Sequence, residues 1–401
     1  MELRNVVIID GVRTPFTKLG GALRKYYMTE LGAMAVRALT ERTGISERGR
    51  VDCVFFGSAF GDAHSTDIAR YVSLAAGLPY ETTASFVEMQ CGSSIDAVNH
   101  AAWKIAAGYA DVIIAGGGES YSTRAAKFSM STEPYKMIPP AAIPNQLSPR
   151  KEEAIDMISI DDRMAAEHQI SRTEADEFAL RSQALAQKAI ESGWTGRHIA
   201  PVVIPASRRS CEITVDRDEG PRPNLTGADL AGLRTVYEGG TTTPGNACGR
   251  SDGASAILMM SEEKAKELGY RPLARWAGSA EYGTDPRTLI GPAYSTMKLL
   301  KSAGLKLSDL DIIECNEAFA VQNLAVIRKI EQLSGETIDM DRWNPNGGAI
   351  AYGHPNGASG TRIMQFAMQE LRDRGGRYAV ACTCCGGGHG VSTLLERYGS
   401  D

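Results

Sequence analysis

The residue best suited to covalent chemistry is Cys91, which stands between a predicted strand and a predicted helix. Residues Ala84–Met89 have a strand pattern, and apolar residues recur at helical spacing from Ile95 to Ile105. A cysteine in this turn would face the free N–H groups and the positive dipole end of the helix, which lower a thiol pKa. The pattern therefore indicates an activated nucleophile, with a purely structural cysteine as the alternative.

Two partners for a nucleophilic thiol occur in the second half of the chain. His354 follows a glycine-rich run and precedes a predicted helix, where a neutral imidazole could act as general base. Asn316 follows the predicted strand Asp311–Glu314, and side chains at strand ends in α/β sheets commonly point into a site. Its amide could hold a water or donate to an oxyanion. The structural alternatives are a turn capped by His354 and a helix capped by Asn316.

A cluster of sulfur and imidazole groups closes the second half. A predicted strand, Arg377–Ala381, leads into Cys382, Cys384, Cys385 and His389. These groups could bind a metal, but structural zinc sites usually use paired Cys-x2-4-Cys modules, and the cluster lacks that spacing. The sequence therefore predicts no metal site.

The elements that must position these residues form an internal repeat. Landmarks recur in order at similar separations: Asp52 and Asp311 lie 259 residues apart, Cys91 and His354 lie 263 apart, and Gly116 and Gly386 lie 270 apart. Each landmark belongs to a predicted strand or to the turn before a predicted helix. We therefore expect two similar α/β halves in which strands alternate with helices.

The region 121–245 interrupts the first half and differs from both repeats. Five prolines within residues 131–150 predict irregular structure, and Glu152–Ser192 is predicted as helices with a cap formed by Thr173 and Asp176. The predicted domains are residues 1–120 with 246–265, an inserted region 121–245, and residues 266–401.

The composition excludes several classes of protein. Of the 401 residues, 43% are hydrophobic and 23% charged, as in ordinary globular proteins. The net charge of -5 argues against a nucleic-acid surface. No apolar run approaches the ~20 residues of a membrane span and the first residues lack a signal-peptide pattern, so no membrane partner is predicted. Eight cysteines without framework spacing favour free thiols and a cytoplasmic location.

Five blocks of the sequence resemble the thiolase family, the coenzyme A-dependent acetyltransferases. They lie at Gln90–Ala97, Ala115–Ser120, Asn316–Ala320, Asn346–Gly360 and Cys384–Gly390. In order, they include Cys-Gly-Ser, Asn-Glu-Ala-Phe, Gly-His-Pro-x-Gly-Ala-Ser-Gly and Cys-x-Gly-Gly-Gly, a highly specific combination. The resemblance covers most of the chain and implies a duplicated α/β thiolase fold, in which two similar βαβ-rich halves pack together with an inserted loop domain.

The resemblance implies a role for each matching residue. Cys91 matches the nucleophile that becomes acylated, and His354 matches the residue that activates it and contributes to an oxyanion hole. Asn316 matches the residue that positions a water in that hole, and Cys384 matches the acid/base for the α-carbon. The backbone N–H groups of Cys91 and Gly386 match a second oxyanion hole.

The resemblance also implies the substrates and the reaction. The substrates are acyl-CoA thioesters, with coenzyme A as substrate or product and no tightly bound cofactor. The predicted substrate contacts are Met157, Arg222, Cys248 and Phe319. The implied reaction is reversible Claisen condensation and thiolysis of 3-ketoacyl-CoA through an acyl-Cys91 intermediate, in fatty acid metabolism, by a homodimer or homotetramer.

The chain departs from the family pattern at several positions. Cys248 stands where a serine contacts the pantetheine chain, and a thiol is a weaker hydrogen-bond donor. Asn356 and His389 each replace an apolar residue, and Cys385 replaces an aliphatic one. Residues 157–162 read MISIDD where Met-Gly-x-Thr-Ala-Glu-Asn is usual. Because the inserted region shapes the acyl pocket, the motifs leave acyl chain length and the favoured direction open.

Four alternative functions make different predictions. A non-catalytic acyl-CoA- or lipid-binding relative would not transfer acyl groups, and a decarboxylating ketoacyl synthase typically has His where Asn316 stands. A serine hydrolase is suggested by Gly-x-Ser-x-Gly at Gly249–Gly253, but that motif needs a strand before the serine, whereas the predicted strand Ala256–Met260 follows it. A nucleotide-dependent dehydrogenase is disfavoured because the chain has no Gly-x-Gly-x-x-Gly.

Overall fold

The computed structural model describes residues 3–133, 135–206 and 211–400 as alternating strands and helices. The strands are β1 (Val6–Arg13), β2 (Thr17–Lys18), β3 (Cys53–Gly57), β4 (Thr83–Val87), β5 (Val112–Ser120), β6 (Val202–Ile204), β7 (Ile213–Val215), β8 (Ser251–Ser261), β9 (Ala274–Gly283), β10 (Leu310–Cys315), β11 (Tyr378–Cys385) and β12 (His389–Arg397). The α-helices are α1 (Met28–Thr43), α2 (Ile45–Arg48), α3 (Ile68–Ala75), α4 (Ser93–Ala106), α5 (Met157–Glu167), α6 (Arg172–Glu191), α7 (Gly227–Ala231), α8 (Glu262–Glu267), α9 (Gly291–Ala303), α10 (Ala320–Ser334), α11 (Ala349–Tyr352) and α12 (Asn356–Arg374).

The large mixed sheet repeats its strand order in the two halves of the chain. Its order is β10-β11-β12-β9-β1-β8-β5-β3-β4, with β2 paired to β8. The strands β3 and β5 are parallel and lead to antiparallel β8 and β1, just as parallel β10 and β11 lead to antiparallel β12 and β9. The two halves join where β1 pairs with β9. This order confirms the predicted duplication and the α/β fold class.

Helices α4 and α12 form the layer between the two halves. Their apolar residues, including Val98 of α4 and Ile363 of α12, share one buried cluster with strand residues from both halves. Gly360 permits the close packing, because a Cβ there would lie 2.7 Å from the backbone nitrogen of Ile95. On the outer faces, α1 and α3 cover the first half, whereas α5, α6, α9 and α10 cover the second. Two equivalent helices therefore begin next to each other in the middle of the fold.

The inserted region contains α5, α6, β6, β7 and α7. The described part of residues 131–150 has neither helix nor strand, as predicted, whereas the predicted helical region Glu152–Ser192 begins only at Met157. Helix α6 begins after Ser171, whose hydroxyl accepts from the Glu174 N–H while the Glu174 carboxylate accepts from the Ser171 N–H. The predicted cap at Thr173 and Asp176 is wrong, because both residues lie inside α6.

The domain boundaries remain a proposal. We propose the three domains predicted above, with residue 265 lying inside α8. No helix in the described ranges is long and apolar enough to cross a membrane.

Candidate active site

The turn before α4 holds Cys91 in the predicted position. Strand β4 ends at Val87, two residues before the predicted end, and a single 3-10 turn over Gln90–Gly92 leads into the helix. Gln90 adopts a left-handed φ of 48°, which gives the sharp change of direction. The Ser93 hydroxyl closes the turn by accepting from the Met89 N–H at 3.0 Å and donating to the Gln90 carbonyl at 2.7 Å. Cys91 itself is half-buried.

His354 precedes α12 and is held on both sides. Its backbone N–H donates to the Gly249 carbonyl at 2.8 Å, and its Nδ1 lies 2.6 Å from the Ser359 hydroxyl. The same hydroxyl lies 3.3 Å from the Pro355 carbonyl and donates to it, so it accepts from Nδ1–H and leaves Nε2 as the unprotonated nitrogen, which faces Asn316 Nδ2. Burial, followed by the charge of Arg362, lowers the pKa of His354 to about 3. The imidazole is therefore neutral, as a general base must be.

Asn316 follows β10 and faces His354. Its backbone N–H donates to the Cys382 carbonyl at 2.9 Å, and its Nδ2 lies 3.5 Å from His354 Nε2. Its side chain is fully buried, and Oδ1 has no hydrogen-bond partner among the described residues. A buried carbonyl oxygen of this kind is suited to binding a water. The helix-cap alternative is wrong, because α10 begins at Ala320 with Phe319 as its cap.

The second cysteine cluster lies on a strand that is longer than predicted. Strand β11 continues through Cys385, because every residue from Tyr378 onward pairs with β12 up to His389. Alternation along the strand sends Cys384 into the buried cluster that contains Phe319, and sends Cys385 to the opposite face against Gly92. Cys384 is therefore on the side of the predicted substrate contacts, whereas Cys385 packs between β11 and α4.

The nucleophile candidate has a higher pKa than its position predicts. Burial, followed by the charge of Glu119, raises the pKa of Cys91 to about 12, against hydrogen bonds from the Gly386 N–H and Asn356. The predicted lowering of this pKa by the helix N-terminus is therefore wrong, because desolvation and a neighbouring carboxylate outweigh it. The thiol is protonated at rest and needs a base.

The thiols of Cys91, Cys384 and Cys248 influence one another's pKa. Burial raises the pKa of Cys384 well above its ordinary value, and the next largest cause is Cys91. Burial and then Cys91 also raise the pKa of Cys248. The structure therefore brings the sulfurs of these three residues within electrostatic range of one another.

Glu119 is a residue of the site that sequence reasoning missed. It ends the glycine run of β5 and accepts from the Ser58 hydroxyl at 2.8 Å, the Ala59 N–H at 2.9 Å and the Gly357 N–H at 3.2 Å. Burial raises its pKa to about 7. Its position as the only charged residue in a buried strand was the available signal, because a buried carboxylate needs specific partners.

Asn356 and Tyr121 were also missed as neighbours of the thiol. The Asn356 Nδ2 lies 3.3 Å from the Cys91 sulfur, and the Tyr121 hydroxyl lies 3.0 Å from Asn356 Oδ1. Asn356 could be noticed in the sequence only as a polar residue in an apolar position. Its contact with the Cys91 sulfur joins residues from the two halves of the chain, so no local sequence pattern predicts it.

The predicted substrate contacts lie at different depths. Phe319 is buried, and Cys248 is half-buried with its N–H donating to the Ala318 carbonyl at 3.0 Å. Met157 is the half-buried first residue of α5. Arg222 is exposed, and its guanidinium lies 3.3 Å from the Pro244 carbonyl. The structure gives no contact between Arg222 and the residues around Cys91.

Two alternative sites can be compared with the structure. Ser251 opens β8 with no strand immediately before it, and its hydroxyl donates to the Gly249 carbonyl at 2.9 Å. The strand-serine-helix turn of a hydrolase is therefore missing at this motif. The described ranges contain no group of three or more His, Cys, Asp or Glu side chains that could bind a metal ion together.

Comparison with known proteins gives the same family over the whole length. Residues 6–263 match the model of the thiolase N-terminal domain, and residues 270–397 match that of the thiolase C-terminal domain. The chain is 38% identical to the 3-oxoadipyl-CoA/3-oxo-5,6-dehydrosuberyl-CoA thiolase of Escherichia coli K12 over 98% of this chain and 100% of that protein. It is also 38% identical to the acetyl-CoA acetyltransferase of Syntrophomonas wolfei, over 98% of this chain and 99% of that protein.

Solved structures agree with this comparison. The Bacillus anthracis acetyl-CoA acetyltransferase matches with a TM-score of 0.90 and 35% identity, covering 99% of both chains. The human mitochondrial 3-ketoacyl-CoA thiolase matches with a TM-score of 0.89 and 35% identity, covering 99% of this chain and 100% of that one.

Proposed function

Because the chain belongs to the thiolase family of coenzyme A-dependent acyltransferases, we propose that it catalyses reversible thiolysis and Claisen condensation of 3-ketoacyl-CoA through an acyl-Cys91 intermediate. The observation that carries the proposal is a chain of contacts among the four predicted catalytic residues. Cys384 lies within electrostatic range of Cys91, and Asn316 Nδ2 lies 3.5 Å from His354 Nε2. The segment that carries His354 reaches the nucleophile through Asn356, whose Nδ2 lies 3.3 Å from the Cys91 sulfur.

The first half-reaction forms the acyl-enzyme. His354 takes the proton of Cys91, whose sulfur then attacks the 3-keto carbonyl. The backbone N–H groups of Cys91 and Gly386 would stabilise the resulting oxyanion, and one such donor is typically worth ~3 kcal/mol. The bond between the α-carbon and the keto carbon breaks, and the α-carbon takes a proton from Cys384. The high pKa of Cys384 supports this role, because a weak acid is still a far stronger acid than the α-carbon.

The second half-reaction releases the shortened acyl group. Cys384 removes the proton of the coenzyme A thiol, and the new thiolate attacks the acyl-Cys91 carbonyl. Cys91 leaves as a thiolate and recovers its proton from His354. In the condensation direction, a water on Asn316 Oδ1 together with His354 would hold the enolate oxygen of acetyl-CoA. Ping-pong kinetics follow from the two steps.

Trapping the intermediate tests the proposal. Incubation with radiolabelled acetyl-CoA should release free coenzyme A in a burst and leave the label on the Cys91 peptide, whereas Cys91→Ala should do neither. Cys384→Ala should keep the label but lose exchange of the acetyl-CoA α-proton with solvent. Retained α-proton exchange would overturn the role of Cys384.

The same experiment separates the alternatives. A non-catalytic binder would give no label, and a serine hydrolase would keep its activity in Cys91→Ala but lose it in Ser251→Ala. A decarboxylating synthase would turn over malonyl-CoA in preference to acetyl-CoA. Acetoacetyl-CoA and 3-oxoadipyl-CoA belong in the substrate panel, because relatives are named for acetyl-CoA and for 3-oxoadipyl-CoA chemistry.

We also propose that Met157, Cys248 and Phe319 line the substrate channel and that Arg222 binds the coenzyme A nucleotide. Cys248 lies close enough to Cys91 to share its field, and Phe319 packs in the cluster that contains Cys384. Arg222→Ala should raise KM for coenzyme A without changing kcat, because an exposed arginine would contact only the distant phosphates. An unchanged KM contradicts that contact.

A homodimer or homotetramer is the proposed assembly. The edge strand β4 ends four residues before Cys91 and exposes Phe86. The start of the inserted region also exposes a group of apolar side chains, Phe128, Met130, Tyr135, Met137, Ile138 and Ile143. Exposed apolar patches mark interaction surfaces. Light scattering should give two or four copies, and Tyr135→Glu with Met137→Glu should reduce four to two. A monomeric wild type contradicts the assembly.

The proposed setting is cytoplasmic fatty acid metabolism without a tightly bound cofactor. The eight cysteines support it, because their spacing lacks a disulfide framework. Dialysis against EDTA should leave the thiolysis rate unchanged, and a loss of activity restored by a metal contradicts the absence of a cofactor.

A further inference from the structure

The side-chain amide of Asn356 bridges the nucleophile candidate and a tyrosine. Asn356 is the first residue of α12 and is 7% exposed. Its Nδ2 donates to the Cys91 sulfur at 3.3 Å, and its Oδ1 accepts from the Tyr121 hydroxyl at 3.0 Å. The three residues come from the turn before α4, the segment after β5 and the start of α12. This bridge is therefore built across both halves of the fold.

The charge of Cys91 determines which end of the amide faces the sulfur, and the Tyr121 hydroxyl holds that arrangement by donating to Oδ1. Amide nitrogen and oxygen can exchange places by a flip, and the hydrogen-bond network decides between the two orientations. With Oδ1 accepting from the Tyr121 hydroxyl, Nδ2 faces Cys91 and one of its N–H groups donates to the sulfur. The flipped amide would place an acceptor oxygen against a sulfur that must become negative. A thiolate therefore favours the observed orientation.

We propose that Asn356 is a catalytic residue that stabilises the Cys91 thiolate, and that Tyr121 is the positioning residue that orients its amide. The inference rests on the proposed role of Cys91 as the nucleophile. When His354 removes the Cys91 proton, the neutral N–H···S contact becomes a charge-assisted hydrogen bond, which is roughly twice as strong. The same bond stabilises Cys91 when it leaves the acyl group. An apolar side chain at this position could provide neither effect.

The surroundings of Cys91 explain why this donor matters. Burial and the Glu119 carboxylate both oppose a negative charge on the sulfur. Glu119 is itself held by several donors, which include the Ser58 hydroxyl and the Gly357 N–H, so it cannot turn away. Among the described residues, the Gly386 N–H and the Asn356 amide oppose them from outside the Cys91 turn. Of these two, Asn356 alone can be changed without altering the backbone.

Alkylation of Cys91 tests the inference directly. The rate with iodoacetamide reports the thiolate fraction and can be followed from pH 6 to 10 by mass spectrometry of the Cys91 peptide. Asn356→Leu should slow alkylation by about tenfold throughout this pH range, since a hydrogen bond to a charged group is worth about 1.5 kcal/mol and its loss lowers the thiolate fraction by that factor. Tyr121→Phe should slow it about threefold, because the amide remains but loses its fixed orientation.

An isosteric variant separates donation from packing. Asn356→Asp keeps the shape but replaces the donor by a charged acceptor, so it should slow alkylation more than Asn356→Leu. Tyr270→Phe, which removes a hydroxyl bound to the Thr43 carbonyl far from Cys91, should leave the rate unchanged. Wild-type alkylation in both Asn356 variants would overturn the inference.

A folding defect and a loss of acyl transfer can each be distinguished from the loss of the hydrogen bond between Asn356 and Cys91. If melting curves show that an Asn356 variant does not fold, Tyr121→Phe tests the inference instead, because it leaves Asn356 intact. An unchanged rate of Cys91 alkylation in Tyr121→Phe overturns the orienting role of Tyr121 and the proposed bridge through Asn356. Alkylation needs no acyl-CoA, so a chain that fails to form acyl-Cys91 would still report on this hydrogen bond. Failure of the proposed function and failure of this inference are therefore distinguishable.

Discussion

The glycine run Gly116–Gly118 in the first half and the run Gly386–Gly388 in the second occupy equivalent places in the repeat but adopt different structures. The first stays extended inside β5 and pairs with β8 on one side and β3 on the other. The second forms the turn between β11 and β12, with φ of 86° at Gly387 and 80° at Gly388. Topology explains the difference, because β5 continues toward the inserted region whereas β11 must reverse at once into β12.

The two runs therefore contribute to the site in different ways. Gly117 has no side chain, so the start of α12 can approach until a Cβ on Gly117 would lie 2.0 Å from the Gly357 carbonyl oxygen. This approach places Asn356 beside Cys91. The second run turns its first backbone N–H, that of Gly386, toward the Cys91 sulfur. One duplicated sequence thus supplies close packing in one half and a hydrogen-bond donor in the other.

The largest effect should come from adding a methyl group to each run. Gly117→Ala should destabilise the fold by about 4 kcal/mol, because its Cβ would meet backbone atoms of both Gly357 and Gly57, which cannot move aside. Gly387→Ala should cost only about 1–2 kcal/mol, the price of a left-handed φ for alanine, since its nearest contact is 3.4 Å away. Urea denaturation measures both. Equal losses would mean that the two runs have the same structural role.

The buried carboxylate of Glu119 in the first half and the buried imidazole of His354 in the second should change stability with pH in opposite directions. The pKa of Glu119 is raised from 4.5 to about 7 in the folded protein. Its contribution to stability is full below pH 4.5 and is lost as the pH rises to 7, about 3 kcal/mol in all. Glu119→Gln cannot ionise and should not lose this stability. Its free energy of unfolding, relative to that of the wild type, should therefore rise between pH 4.5 and pH 7.

Glu119→Gln has a second consequence for the thiol. Removal of the carboxylate charge should lower the Cys91 pKa and speed its alkylation at pH 8. Denaturation at pH 5 and 8 and alkylation at pH 8 provide independent measurements. A variant that loses stability equally at both pH values would show that Glu119 is already ionised at pH 5.

For the imidazole of His354, the free energy of unfolding should change with pH in the opposite direction. The pKa of His354 is lowered from 6.5 to about 3, so below pH 6.5 the unfolded chain binds a proton that the folded protein refuses. His354 therefore removes about 2 kcal/mol of stability between pH 6.5 and pH 5, and His354→Gln should avoid that loss. Proton NMR of the folded protein should show no titration of His354 down to pH 5. A titration near pH 6.5 contradicts its depressed pKa.

Much of the site could be predicted because its chemistry lies at the ends of local elements. Cys91 occupies a strand-to-helix turn and Asn316 a strand end, and both positions are readable from the period of the flanking apolar residues. The repeat was visible for the same reason. The Cys91 pKa could not be predicted, because the two causes that raise it, burial and Glu119, arise only when distant segments pack. The length of β11 was missed because its cysteines pair with β12, which a single strand pattern does not show.

The smallest effect should come from the hydroxyl that orients the imidazole. Ser359 lies 2.6 Å from His354 Nδ1 and donates onward to the Pro355 carbonyl, so it holds the proton on Nδ1 and leaves Nε2 as the base. Ser359→Ala should lower the rate of Cys91 acylation by about fivefold, which corresponds to one neutral hydrogen bond of about 1 kcal/mol. The pH dependence of stability that comes from Glu119 should not change. Ser359→Thr keeps the hydroxyl and should recover most of the rate. Loss of rate without recovery in the threonine variant would point to packing of α12, because the hydroxyl would then have no orienting role.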